Sequence, residues 1–134
     1  MIRNFFVGLV SMVLGHLLIF TGEAATWTLF PPPPGFDFSD AEKVKAMVAA
    51  MPVGAFVGIE AGYLLGSAVA GLLIGRFTRG GPLFTATVVG TLFTLANLMN
   101  LMDIPSPLGF AVLTTVTFLP VTIGGAILGR PRAS

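Results

Sequence analysis

The chain has no cysteine, which excludes disulfides, zinc–cysteine sites and iron–sulfur clusters. It has one histidine, too few for a zinc site or for bis-histidine haem ligation. His16 with a methionine as axial haem ligands is the arrangement left open, and no motif accompanies it. Charge is scarce as well. Only 10% of the 134 residues are charged, where a soluble domain carries about 25%. Serine, histidine and acid never stand in a nucleophile–base–orienter context. The expectation is therefore no catalytic residue, no metal, no cofactor and no enzyme. The few basic residues form no stripe, so nucleic acid is not an expected partner.

What the chain has in abundance is apolar sequence, 54% of its residues. Four spans of roughly 20 residues fit, using about 80 residues. They run from about Asn4 to Gly22, Pro52 to Gly75, Pro82 to Met102 and Pro107 to Gly129. Arg3, Arg76, Arg79, Arg130 and Arg132 all fall at one end of these runs. Every acid lies inside a run or at the other end, which is the positive-inside pattern. The sequence thus predicts an all-α, four-helix integral membrane bundle, residues 1–134 as one domain, with both termini cytoplasmic. Arg3 and Glu23-Ala24-Ala25 loosely resemble the ends of a signal peptide. The run between them is long enough to span, so an uncleaved first helix is expected.

The first outer loop, residues 23–51, opens with Pro31-Pro32-Pro33-Pro34-Gly35, which favours polyproline II. Ser39 and Glu42 have the spacing of a capping box. Val44, Met47, Val48 and Met51 then follow at helical spacing, with Lys43 and Lys45 off that face. This predicts a short amphipathic helix at the outer membrane interface, broken before Pro52. Asp37, Asp40, Glu42 and Glu23 match no calcium loop and read as a solvated acidic surface.

Gly54, Gly58, Gly62 and Gly66 recur every fourth residue and continue to Ala70; Ser67, Gly71 and Gly75 make a second row. Such rows let membrane helices approach closely, and two rows on different sides predict that the second span is central. Glu60 is a lone carboxyl within a span, a functional candidate by its cost. It lies roughly 5 Å to the outer side of its span's midplane at ~1.5 Å per residue, and His16 lies at a matching depth. Asn97, Asn100, Tyr63 and Thr114, Thr115 and Thr117 fall in the same outer half. A polar cluster of His16, Glu60, Asn97 and Thr114 is predicted, with a Glu60–His16 pair at its centre. Its role is either structural, fixing helix register, or functional, in handling an ion, a proton or a ligand.

Pro52-Val53-Gly54-Ala55-Phe56 with Gly75-Arg76 is echoed by Pro107-Leu108-Gly109-Phe110 with Gly129-Arg130. This faint repeat would be parallel rather than inverted, or a coincidence of glycine-rich helices. The stretch Pro31 to Asp37, then Asp40, Glu42 and Lys45, then Pro52 and a glycine-rich helix, resembles a family of small uncharacterised bacterial inner-membrane proteins. Those have four helices and a proline-rich outer loop followed by a short acidic helix. The resemblance implies a membrane fold and a bacterial source, and no catalytic residue. Three functions are open. The first is a non-enzymatic accessory or structural subunit of a membrane assembly, with other membrane chains or its own copies as partners. The second is a small oligomeric transporter or channel using Glu60 and His16. The third is a binder of a lipid, quinone or pigment using His16, Tyr63 or Trp27.

Overall fold

The computed structural model of the protein describes residues 1–104 and 106–131. Arg132, counted above among the clustered arginines, and Pro105, in the connection after Asp103, lie outside them. Five helices follow in order: α1 Ile2–Leu29, α2 Ala41–Ala50, α3 Val53–Phe77, α4 Pro82–Asp103 and α5 Leu108–Leu128. There is no strand among the described residues. α1, α3, α4 and α5 are each long and apolar enough to cross a membrane. Phe5, Phe6, Val57, Phe84 and Leu108 stand exposed on their outer faces, an apolar girdle that a water-soluble monomer rarely carries. The chain is a multi-pass helical membrane bundle.

α1 corrects one expected boundary. It does not end at Gly22 but runs to Leu29. Glu23, Ala24 and Ala25 are good helix formers, and nothing before the prolines stops the helix. Phe30 ends it with extended φ, because Pro31 offers no amide hydrogen and crowds the residue before it. The longest connection therefore starts at Phe30, and Glu23, Thr26 and Trp27 belong to a helix.

The cap of α2 is a second correction. Asp40, not Ser39, is the N-cap, and its Oδ1 accepts from the backbone N–H groups of Glu42 (3.1 Å) and Lys43 (3.2 Å). Ser39 is engaged elsewhere: its amide and hydroxyl both donate to Asp37 Oδ1, at 2.9 and 2.6 Å. These two bonds favour the ionised carboxylate and hold Asp37 below its ordinary value of 3.8. Glu42 pairs with Lys45 instead of closing a capping box. Val48 is buried, with Val44 and Met47 partly so. Met51 turns extended before Pro52 and separates α2 from α3.

α3 is packed on both sides. Its Gly54–Gly66 row lies against α1: a Cβ at Gly62 would meet Gly22 Cα at 3.0 Å, and one at Gly66 would meet Ile19 Cγ1 at 2.8 Å. The row of Ser67, Gly71 and Gly75 lies against α5 around Thr122, Gly125 and Ala126. At Gly66, Gly71, Gly75, Gly125 and Gly129, a partner-helix carbonyl oxygen stands where a Cβ would be. This is the placement of Cα–H···O contacts, each worth about 0.5–1 kcal/mol. α5 also packs on α4, which touches α1 only lightly. Helix order around the bundle is thus α1, α3, α5, α4.

The end that carries Arg3, Arg76, Arg79 and Arg130 is stapled by polar contacts. Arg3 donates twice to the Phe77 carbonyl, at 2.7 and 3.1 Å, at the C-terminus of α3 where cations are favoured. Asn4 donates to the carbonyls of Arg79 and Gly80 and accepts from the Arg79 amide. Gly80 and Gly81 both have positive φ, so this turn is one that glycine alone enters freely.

A candidate binding cavity at the α2 end

At the opposite end the helices part around a cavity of about 290 Å³. Its floor is a chain of four rings, one from each long helix. His16 of α1 stands 5.0 Å from Phe93 of α4, Phe93 stands 5.8 Å from Phe118 of α5, and Phe118 stands 5.1 Å from Tyr63 of α3. Phe56 and Phe110, 5.0 Å apart, form the wall between α3 and α5. Val48 and Met51 close it from the α2 side, and Trp27 stands beside them. Between α1 and α4 the wall consists of Phe20, Ala96 and Asn100, all exposed. The mouth is therefore lateral, in the seam where α1 and α4 are least packed.

The polar groups of the cavity come from three helices. Glu23 projects from the last two turns of α1, and Tyr63 Oη donates to its Oε1 at 3.0 Å. His16 Nδ1 lies 3.3 Å from the Met12 carbonyl. A carbonyl only accepts, so Nδ1 carries a hydrogen there and a neutral ring keeps an open lone pair on Nε2. Asn97 donates to Thr114 Oγ1 at 3.1 Å and to Thr115 Oγ1 at 3.4 Å, which ties α4 to α5 beside the floor. The threonine hydroxyls in turn donate to carbonyls of their own helix, the usual way to satisfy them in an apolar setting.

Of the four residues expected to cluster, Asn97 and Thr114 meet, and His16 lines the same cavity as Asn97. Glu60 is elsewhere. It is 8% exposed in the α3–α5 seam with Thr117 facing it, and neither carboxyl oxygen has a hydrogen-bond partner among the described residues. The expected Glu60–His16 pair is not formed, because equal depth says nothing about azimuth. Residues 58, 62 and 66 point at α1, and a residue two positions away is turned about 200° around the helix. Glu60 thus faces away from α1 and its histidine. Thr117 donates instead to the Leu113 carbonyl of its own helix, at 2.7 Å.

Two things escaped sequence reasoning. One is the Glu23–Tyr63 bond, hidden because α1 was ended too early. The other is the glycine complement on the partner helices. Gly8, Gly15 and Gly22 recur every seventh residue, a signal that marks the face α1 turns inward. Gly15 and Gly22 meet α3, and a Cβ at Gly8 would meet Thr85 of α4 at 3.1 Å. Among the described residues no group of acids, cysteines and histidines is placed to hold a metal ion. Compared with protein families, with curated proteins and with solved structures, the chain matches none.

Proposed function

We propose that the chain is a non-enzymatic, four-span protein of the bacterial inner membrane that binds a small amphipathic molecule in the cavity at its α2 end. The single observation that carries this reading is the cavity itself: a lateral opening onto the apolar girdle, aromatic walls and a few convergent polar groups. Concave, mostly apolar sites with a small polar set are where membrane-soluble and drug-sized ligands bind. The orientation follows from the arginines at the far end, which puts both termini in the cytoplasm and the cavity in the outer half. α2 then lies at the outer interface, its Val44–Val48 face toward the protein and Lys43 and Lys45 toward headgroups.

The other expectations fit less well. A channel needs a polar route through the arginine half, where α3 and α5 meet backbone against backbone at Gly71, Gly75, Gly125 and Gly129. An accessory subunit, suggested by small size and glycine rows, needs no such cavity, so binding ranks above it. Trp27 is the chain's single tryptophan and lines the cavity, so its fluorescence reports occupancy. Titration of the protein in nanodiscs with a short-chain quinone, a naphthol and an arylammonium ion should give saturable quenching by at least one of them. Ala96→Phe, which narrows the mouth, should abolish it. No saturable quenching by any of the three, or equal quenching in Ala96→Phe, overturns the reading.

A further inference from the structure

We propose that the cavity selects an organic monocation, an ammonium group carried on a ring or short apolar body; the inference rests on the binding reading above. The argument is one of charge complementarity. Glu23 is the only acid among the residues that line the cavity, and neither lysine nor arginine is among them. Its carboxylate sits at the mouth with one oxygen held by Tyr63, which fixes its position and leaves the other oxygen for a ligand. The aromatic rings of Trp27, Phe56, Tyr63, Phe93, Phe110 and Phe118 line the same cavity. Aromatic faces attract a cation through their quadrupoles, most strongly when water is excluded, and cages of such rings recognise alkylated ammonium groups.

The same features reject the alternatives. An anion would meet the Glu23 carboxylate, and neither lysine nor arginine lines the cavity to offset it; the His16 imidazole is its one basic side chain. A hard divalent cation needs about six oxygen ligands, and the cavity offers one carboxylate and amide oxygens separated by rings. A neutral quinone would gain from the rings but nothing from the charge. One carboxylate balances one positive charge, so a monocation fits best. The lateral mouth beside Phe20, Ala96 and Asn100 lets the apolar body of the ligand enter from the bilayer while its charged head reaches Glu23.

The test uses a matched pair on the full chain in nanodiscs, read by Trp27 quenching. Benzyltrimethylammonium and its carbon isostere neopentylbenzene have the same shape and differ in charge. The cation should bind about tenfold or more tightly than the isostere. Glu23→Gln should reduce that preference by weakening the cation while leaving the isostere unchanged, since the amide oxygen still accepts from Tyr63. Phe56→Leu should weaken the cation more than the isostere. Equal binding of the two compounds, or an unchanged preference in Glu23→Gln, overturns the cation proposal while binding in the cavity stands. If neither compound nor any of the earlier probes binds, both readings fall together.

Discussion

Gly71→Ala adds one methyl group where α3 and α5 meet backbone against backbone. The new Cβ would stand 3.0 Å from Gly125 Cα and 3.0 Å from Ala126 N, with the Thr122 carbonyl nearer still. All three are backbone atoms, so no side chain can swing aside and the helices must separate. Overpacking of this kind costs about 1–3 kcal/mol, and loss of the Cα–H···O contact adds about 0.5–1 kcal/mol. The gain in helix propensity on replacing glycine by alanine offsets about 1 kcal/mol of that. The net expectation is a destabilisation of about 0.5–3 kcal/mol. Gly124→Ala is the control: it sits one residue from Gly125, yet a Cβ there meets nothing within 4 Å. That variant should be neutral or stabilised by up to about 1 kcal/mol. Reversible unfolding in mixed detergent and SDS micelles, followed by circular dichroism, measures both. Equal stabilities, or the reverse order, would refute the packing argument, because the two sites differ only in what faces them.

Further outcomes follow from the same geometry. His16→Phe and Glu60→Leu should be additive in a double-mutant cycle, within about 0.5 kcal/mol; a larger coupling would mean that the two side chains meet. Tyr63→Phe leaves Glu23 without its donor and should cost about 1 kcal/mol of stability, with the Glu23→Gln, Tyr63→Phe double variant less than additive in the same unfolding assay. Asp37 is held below its ordinary value by Ser39, so its contribution is present above pH 3.8 and is lost as pH falls through the lower folded value. Hydrogen exchange of the Ser39 amide should accordingly be unchanged by Asp37→Asn at acidic extremes and faster in the variant at neutral pH. Equal exchange at neutral pH would contradict the bond.

The spans and the central place of α3 were legible in the sequence because membrane helices announce themselves by length and apolarity, and glycine rows mark close approach. The α2 face was legible for the same reason: Val44, Met47 and Val48 obey one period. The end of α1 was not, since a carboxylate near a membrane boundary reads as loop until the long run to Pro31 is seen to lack any helix breaker. The Glu60–His16 pair failed on azimuth. Depth is counted along one helix, whereas contact needs the angle around two, and the glycine row at 58, 62 and 66 already set that angle. The cavity was illegible for a different reason. Its floor takes one ring from each of four helices, and no sequence separation within the chain encodes that His16, Phe93, Phe118 and Tyr63 stack in turn. The Asp40 cap was a near miss, decided by Ser39 having a better partner in Asp37.

The central claim is that the space among α1, α3, α4 and α5 at the α2 end is a binding site for a small amphipathic molecule, and photoaffinity labelling tests it most directly. A benzylammonium probe bearing a diazirine, photolysed with the protein in nanodiscs and mapped by mass spectrometry, should label Phe20 to Trp27 of α1, Phe56 to Tyr63 of α3 and Ala96 to Asn100 of α4. An excess of benzyltrimethylammonium should suppress that labelling. Labels spread over the lipid-facing residues Val112, Val116 and Leu113 of α5, undiminished by the competitor, would contradict the account.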